Sequence, residues 1–139
     1  MVRPYRADDE AAVVALWESC GVTRPWNDPL ADIARKLRDS PDWFLVAEAD
    51  GVLVGTVMAG YDGHRGWINY LATEPAHRGR GIARRLMAEA ERQLAAAGCP
   101  KINLQVRSEN AGVVDFYRHL GYVADPVVSL GKRLVDDRN

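Results

Sequence analysis

The stretch formed by residues 67–87 constrains the fold of this chain more than any other. It reads as an apolar strand, a tight turn that contains Gly79 and Gly81, and the first turns of a long amphipathic helix. The first turn of a helix carries backbone N–H groups without internal partners and the positive end of the helix dipole, so a phosphate fits there. Glycines let the backbone approach that phosphate closely. The stretch therefore predicts an anion site between a strand and a helix.

Composition predicts a single soluble domain over residues 1–139. Hydrophobic residues make up 47% and charged residues 27% of the chain, which is ordinary for a globular protein. A chain of this length buries roughly two-thirds of its unfolded surface without needing a metal or a disulfide. The net charge is −1, and the 15 arginines alternate with acids except around Arg78, Arg80, Arg84 and Arg85. This pattern argues against a nucleic-acid surface.

Cysteine usage and hydropathy predict a cytoplasmic protein without a membrane partner. Cys20 and Cys99 have neither CxxC spacing nor a histidine cluster, so we expect both to be structural, in a reducing compartment and without a metal. No apolar run approaches the ~20 residues that cross a membrane. Residues 2–6 look like a strand and not like a signal peptide.

Hydrophobic periodicity and turn residues predict the order of the elements. Helices are marked by caps and stops, such as Asp8 and Gly21 for the first helix, Asp28 for the second, and Ser108 or Asn110 for the last. The Asp50-Gly51 pair predicts a hairpin. The predicted elements are a strand at 2–6, helices from 9 and from 29, strands at 43–49, 52–61 and 67–73, a helix from 82, a strand at 101–107, a helix after 110, and closing strands at 122–123 and 127–134.

These elements predict an α/β (α+β) fold with a mixed central sheet and four helices. The three strands from residue 43 to residue 73 follow each other through short turns, so they form an antiparallel meander. The helix from residue 82 then crosses over to the strand at 101–107, which makes that strand parallel to the strand at 67–73. The two form a right-handed βαβ unit.

The glycine turn also carries a motif, Arg78-Gly-Arg-Gly-Ile-Ala83. It lacks the Gly-Lys-Ser/Thr of a Walker loop and the third glycine of a dinucleotide fingerprint. It resembles the acetyl-coenzyme A signature of the GCN5-related N-acetyltransferases (GNAT), Gln/Arg-x-x-Gly-x-Gly/Ala. Asn110, followed by Phe116-Tyr117 and then Gly121-Tyr122, is similar to the second signature of that family.

The resemblance extends over essentially the full chain. The predicted element order is similar to the GNAT acyl-CoA N-acyltransferase fold, and the strings 24–29 and 60–66 resemble the small bacterial YpeA-type branch. It implies that acetyl-CoA (acetyl-coenzyme A) is a co-substrate whose pyrophosphate binds the turn, and that its pantetheine arm lies in a groove between strands 67–73 and 101–107. The implied carrier-binding residues are Leu71, Ala72, Thr73, Arg78, Gly79, Arg80, Gly81, Ile82, Ala83, Asn110 and Tyr117.

Tyr117 is the catalytic residue that the resemblance implies. Periodicity alone favours a core aromatic, but the context of Asn110 and Phe116 matches the family tyrosine that protonates the departing thiolate. Asn110 itself fits both a helix cap and a contact to the carrier.

The general base is not evident from the sequence. The strand 67–71 has no carboxylate, and Glu74, next to Pro75, reads as a turn residue. We therefore expect a water relay or an acceptor amine of low pKa, with Asp62, His64 and Tyr70 as open alternatives. These three, together with the loop residues Trp26 and Asn27, are the predicted acceptor-binding residues.

Two function classes remain at this point. The first is an acetyl-CoA-dependent N-acetyltransferase that acts on an amine of a small molecule or a protein, and the second is a non-catalytic acyl-CoA sensor. The retained Tyr117 favours catalysis, and the missing base favours the sensor. A nucleotide-phosphate binder is disfavoured because the turn has no Mg²⁺-ligating pattern. The acceptor, and the choice between a monomer and a homodimer, stay open.

Overall fold

The computed structural model describes residues 1–138, which form a mixed five-stranded sheet with helices on both faces. The strands lie in the order β1-β2-β3-β4-β5. The first three pairings are antiparallel, and β4 pairs with β5 in parallel. The elements are β1 (Val2–Pro4), α1 (Glu10–Ser19), α2 (Pro29–Asp39), β2 (Phe44–Ala49), β3 (Val52–Tyr61), β4 (Gly66–Thr73), α3 (Ile82–Ala96), β5 (Ile102–Leu104) and α4 (Ala111–His119). Among residues 1–138, no helix has both the length and the apolarity to cross a membrane.

The local turn chemistry explains the meander. Asp50 and Gly51 join β2 to β3 with φ angles of 52° and 77°, and two positive φ angles are what a type I′ hairpin turn requires. Pro4 lies on β1, which is an edge strand and therefore tolerates a residue without an N–H. The predicted meander and βαβ unit are both confirmed.

The sheet is covered on both faces. On one face, α1 and α2 bury Trp17 and Ile33 against Phe44; on the other, α3 and α4 bury Leu86 and Tyr117. Residues 44–47 of β2 alternate between the two clusters, so this part of the strand is apolar throughout and does not alternate between apolar and polar.

The N-cap prediction is confirmed for α2 and wrong for α1. Asp28 is the N-cap of α2, as predicted, and its carboxylate accepts from the N–H of Leu30 at 3.0 Å. The prediction of Asp8 for α1 is wrong by one residue, because Asp9 takes that position. The Asp9 carboxylate accepts from Arg3 and from the N–H of Arg6, which adds one 3₁₀ turn before the helix.

Two glycines on the sheet let α3 approach closely. A Cβ on Gly55 would lie 2.9 Å from Leu86 Cδ1 and 3.2 Å from the carbonyl oxygen of Ala72. A Cβ on Gly66 would lie 2.8 Å from Cys99 Sγ, which also explains why Cys99 packs as a structural side chain. At Gly55 and Gly66 the sheet has no side chain, so α3 and the residues that follow it pack directly against the backbone of the sheet.

We expect Gly55→Ala to destabilise the protein by about 1–3 kcal/mol, because the new methyl group meets a backbone carbonyl that cannot move away without distorting β4. Gly60→Ala is the matched control on the same strand, since its Cβ would meet only Lys36 Nζ at 3.9 Å. Urea unfolding of both variants measures the difference. Equal midpoints for Gly55→Ala and the wild-type protein would show that the added methyl group is accommodated beside the Ala72 carbonyl without strain.

The predicted closing strands are wrong. Residues 122–138 contain no strand, and β5 is shorter than the predicted 101–107. The Val and Leu side chains of this segment are exposed, and 91% of the Leu130 surface is accessible to solvent. They have no second layer to pack against. Side-chain hydrogen bonds from Lys101 to Asp125 and from Gln105 to Ser129 connect the segment to the residues that flank β5, in place of a ladder. Pro126 has no N–H to donate, so it also interrupts pairing.

Candidate functional site

The glycine turn before α3 presents free backbone N–H groups. Gly79 and Gly81 have φ angles of 81° and 79°, in the left-handed region that favours glycine. Gly81 is the N-cap of α3, and no side chain caps that helix. Within residues 1–138, no backbone carbonyl accepts from the N–H groups of residues 79–84. Six consecutive N–H donors therefore have no acceptor in the described part of the chain, as an anion site requires.

The arginines around the turn add positive charge. Arg78, Arg80, Arg84 and Arg85 are all exposed, and none of them has a carboxylate within 4 Å in the described part of the chain. Other arginines, such as Arg3, are held in ion pairs. The turn thus combines a helix N-terminus with four guanidinium groups that have no ion-pair partner among residues 1–138.

A cleft opens between β4 and β5 beside this turn. The two parallel strands pair only where Gly66, Trp67 and Ile68 face Ile102, Asn103 and Leu104. Residues 69–73 of β4 have no strand partner on the side of β5 in the described structure. The two strands therefore stop pairing after Ile68 and Leu104, and the unpaired part of β4 is the part that precedes the glycine turn in the chain. That this gap holds the pantetheine arm stays a prediction.

The first part of β4 follows the ordinary alternation of a strand. The N–H of Gly66 donates to the carbonyl of Lys101, so Gly66 and Ile68 turn their backbone groups towards β5. If this alternation continued without a break, the N–H of Leu71 would face β3.

A β-bulge breaks the alternation at Tyr70 and Leu71. The register of β3 with β4 shifts between Thr56 and Met58, so both residues lie opposite Val57. Tyr70 has a φ of 51°, which is uncommon for a residue with a side chain and marks a locally strained backbone.

The bulge turns two backbone N–H groups into the cleft. Beyond it, the N–H of Glu74 donates to the carbonyl of Val54 on β3, so Ala72 also faces β3. The N–H groups of Leu71 and Thr73 consequently point away from β3, whereas the carbonyl of Thr73 accepts from Cys20 Sγ at 3.2 Å. Among the predicted carrier-binding residues of β4, Leu71 and Thr73 have backbone N–H groups on the side of the cleft. The backbone of Ala72 faces β3, so it has no donor for a carrier in the cleft.

Tyr70 connects the bulge to the loop between α1 and α2. Its hydroxyl donates to Asp32 Oδ2 at 2.5 Å, and the same oxygen accepts from Asn27 Nδ2 at 3.1 Å. Burial, followed by the hydrogen bond to Asp32, raises the pKa of Tyr70, so the phenol stays neutral. The Oδ1 atom of Asn27 is buried and has no partner within residues 1–138. The structure thus brings together Asn27 and Tyr70 of the predicted acceptor set.

Asp32 is a functional candidate that the sequence did not reveal. It lies in the first turn of α2, where an acidic residue is favoured by the helix dipole and needs no other explanation. Its carboxylate also accepts from Arg35 at 2.9 Å. Only the fold shows that this carboxylate reaches the hydroxyl of Tyr70, 38 residues further along the chain.

The C-terminal segment lies over the loop that carries Trp26. The N–H of Asp137 donates to the carbonyl of Trp26, and its carboxylate pairs with Arg35 at 2.5 Å. The Arg133 guanidinium lies 6.0 Å from the centroid of the Trp26 ring. Trp26 is therefore half-buried beneath residues 133–137, next to the Asn27–Asp32 pair.

Tyr117 is 8% exposed and lies in the apolar cluster on the α3 face, against which Leu71 also packs. Its ring makes edge contacts with Phe116 and Tyr122. Its hydroxyl has no hydrogen-bond partner in residues 1–138, yet it is not among the fully buried unpaired atoms. Burial raises the pKa of Tyr117 to about 12, so the hydroxyl remains protonated at neutral pH. Tyr117 is therefore a core residue whose protonated hydroxyl has no partner in the described structure, and its catalytic role stays a prediction.

Asn110 is exposed and is the N-cap residue of α4, but its side chain makes no capping hydrogen bond.

A cavity of about 1010 Å³ opens beyond β5 and is lined by α4, the end of α3 and the segment 122–130. Tyr117 lines it, whereas the glycine turn and residues 69–73 do not. The cavity occupies the space next to β5 that the predicted closing strands would have filled.

The structure does not bring Asp62 and His64 to the cleft. Both lie in the turn before β4, while the bulge is several residues further along that strand. The Asp62 carboxylate accepts from the N–H groups of Arg65 and His64, which lowers the pKa of Asp62. Glu74 accepts from the N–H of Ala76 at 2.7 Å, so it is a turn residue, as predicted.

The chain matches the family model described as the acetyltransferase (GNAT) family over residues 9–122. It is 53% identical over 137 residues to an acetyltransferase of Pectobacterium atrosepticum, covering 99% of this chain and 97% of that protein. Among solved structures it is similar to Ard1 from Thermoplasma volcanium, with a TM-score of 0.80, 22% identity and coverage of 88% and 82%. It is also similar to a PaiA N-acetyltransferase from Thermoplasma acidophilum in complex with coenzyme A, with a TM-score of 0.78, 18% identity and 92% coverage of each chain.

The chain belongs to the GNAT family. It is an N-acetyltransferase, and this membership favours acetyl transfer over the sensor alternative. No group of three or more metal-ligating side chains is present among residues 1–138.

Proposed function

We propose that the protein transfers an acetyl group from acetyl-CoA to an amine of a small molecule or a protein, with the thioester held in the cleft between β4 and β5. The observation that carries this proposal is a pair of free backbone donor sets at the two ends of the β4–α3 connection. The N–H groups of residues 79–84 have no backbone acceptor among residues 1–138, and residues 69–73 of β4 have no strand partner on the side of β5. Tyr117 belongs to the apolar cluster against which Leu71 packs.

The donor end of the site is built for a long, anionic carrier. The glycine turn supplies backbone donors for the pyrophosphate, and Arg78 and Arg80 supply charge beside it. The backbone donors of Leu71 and Thr73 fit the amide groups of a pantetheine arm that runs along β4 as an additional strand would. Asn110, with a free side chain at the start of α4, is the remaining carrier contact in this proposal.

The acceptor amine is assigned to the opposite face of the sheet, where α1 and α2 lie. Asn27 Oδ1 and the Asp32 carboxylate are hydrogen-bond acceptors, and a primary amine offers the donors they need. Tyr70 lies at the bulge and contacts Asp32, so this pair of acceptors is joined to the strand that holds the thioester. Trp26 forms the outer wall beneath Arg133.

The reaction needs few protein groups. The neutral amine nitrogen attacks the thioester carbonyl carbon, the C–N bond forms, and the C–S bond breaks. The N–H of Leu71 stabilises the negative charge that develops on the carbonyl oxygen. The Tyr117 hydroxyl donates a hydrogen bond to the departing thiolate. The amine loses one proton through water, because the Asp32 carboxylate already accepts from Tyr70, Asn27 and Arg35, and one proton ends on the thiol.

The test is release of free thiol from acetyl-CoA across a panel of amines: polyamines, amino acids, aminoglycosides and peptides with free N-termini. We expect thiol release with at least one class, and a product heavier by one acetyl group. The matched control for any positive compound is its N-trimethylated analogue, which cannot form an amide. Saturable acetyl-CoA binding with no thiol release across the panel would contradict the proposal and favour the sensor.

A further inference from the structure

A buried chain of hydrogen bonds runs from α1 through β3 to the bulge of β4. Trp17 Nε1 donates to Thr56 Oγ1 at 2.9 Å, and Thr56 Oγ1 donates to the carbonyl oxygen of Tyr70 at 2.8 Å. Trp17 and Thr56 are both 0% exposed. Each polar atom in the chain has its partner, as burial requires.

The same residues hold the side chain of Tyr70. The rings of Trp17 and Tyr70 stack with centroids 3.9 Å apart, and the Tyr70 hydroxyl is bonded to Asp32. A left-handed backbone is unfavourable for tyrosine and persists only where surrounding contacts determine it. Here the backbone carbonyl, the ring and the hydroxyl of Tyr70 are each fixed by a different neighbour.

The conformation of Tyr70 decides where the N–H of Leu71 points. With the bulge, that N–H faces the cleft; without it, the ordinary alternation of β4 would turn it towards β3. Among the contacts to Tyr70, the bond from Thr56 is the one made to the backbone of the bulge itself.

We propose that Thr56 is a positioning residue for acetyl transfer: its hydroxyl links Trp17 to the carbonyl of Tyr70 and thereby aims the N–H of Leu71 at the thioester carbonyl. The inference rests on the proposed function, because it takes the cleft as the thioester site. Thr56 does not touch the substrate. It acts through the backbone of β4, and the indole of Trp17 holds its hydroxyl in the orientation that donates to Tyr70.

The experiment compares Thr56→Val, which removes the hydroxyl at nearly constant shape, with Thr56→Ser, which keeps it. We expect Thr56→Val to lower kcat at least ~10-fold with the KM for acetyl-CoA nearly unchanged, since loss of an oxyanion donor costs about 10²–10³-fold and misplacement costs part of that. Thr56→Ser should restore most of the rate. If Thr56→Val does not fold, Thr56→Ala is measured in the same way.

A second measurement does not depend on turnover. In ¹⁵N spectra of the wild-type protein, replacing coenzyme A by acetyl-CoA should shift the Leu71 amide, and in folded Thr56→Val this shift should be lost. A wild-type kcat and a wild-type Leu71 shift in Thr56→Val, or equal losses in the valine and serine variants, would overturn the inference. Failure of the wild-type protein to bind acetyl-CoA would instead contradict the proposed function, so the two failures are distinguishable.

Discussion

Replacing Gly81 by valine is expected to weaken acetyl-CoA binding at least ~100-fold. Gly81 has a φ of 79° at the N-cap of α3, and a β-branched residue is strongly disfavoured there. Relief of that strain would turn the N–H groups of the turn away from the pyrophosphate. Each hydrogen bond to a charged group contributes about 1.5–3 kcal/mol, so losing two accounts for the expected change. Calorimetric titration of the folded variant measures it.

Gly98→Val is the matched control for this substitution. Gly98 follows the other end of α3, has a φ of 90°, and has no atom within 4 Å of an added Cβ, as is also true of Gly81. It carries the same backbone strain without contact to the turn, so we expect nearly wild-type affinity.

Arg84→Ala should lose far less affinity than Gly81→Val, since Arg84 is an exposed residue on the helix surface. Equal losses in Gly81→Val and Arg84→Ala would mean that positive charge, and not the shaped turn, holds the carrier.

Replacing Tyr117 by phenylalanine is expected to lower kcat by about 10–100-fold and to leave the affinity for acetyl-CoA nearly intact. General-acid contributions are typically ~10²–10⁴-fold. The lower end is expected here, because burial raises the pKa of Tyr117 to about 12, whereas a thiol has an ordinary pKa of ~8.5. Because the Tyr117 phenol is a weaker acid than the thiol, it stabilises the departing thiolate by a hydrogen bond and does not transfer its proton completely. Single-turnover rates at saturating acetyl-CoA measure the effect.

The direction of the pKa shift also predicts the pH dependence of Tyr117. A phenol whose folded pKa lies above its unfolded value of ~10 stays protonated in the folded protein between those values, so its contribution to stability is complete below pH ~10 and is lost as the pH rises towards 12. Ionisation of Tyr117 should therefore not lower the rate between pH 7 and 10.

Tyr122→Phe is the control within the same aromatic cluster. Its hydroxyl donates to Glu91 at 2.6 Å, so the substitution removes a structural hydrogen bond and should lower stability while leaving the chemical step unchanged. If Tyr117→Phe behaves in the same way as Tyr122→Phe, Tyr117 is only a core residue, and water is the acid.

The sequence predicted those parts of the site that depend on neighbours in the chain. The glycine turn, the start of α3 and the hairpin at Asp50 are encoded by adjacent residues, and the structure confirms each of them. The parallel pairing of strands 67–73 and 101–107 followed from the helix that joins them, whereas the groove between the two strands was implied by the family resemblance.

The parts that were not predicted depend on distant contacts. The left-handed Tyr70 is fixed by Thr56 and Trp17, whose positions in the sequence give no sign of the bulge. Asp32 looks like any acidic residue in the first turn of a helix. The segment 127–134 has the composition of a strand, but a strand also needs a partner edge, and the structure leaves this segment unpaired.

The most direct test of the central claim is a crystal structure of the protein with bound acetyl-CoA. We expect the pyrophosphate to contact backbone N–H groups of residues 79–84, and the acetyl oxygen to lie ~2.7–3.1 Å from the Leu71 nitrogen, as for an oxyanion donor. The thioester sulfur should lie within hydrogen-bond reach of the Tyr117 hydroxyl. Acetyl-CoA bound in the cavity beyond β5, with the glycine turn and the cleft of β4 empty, would contradict the account.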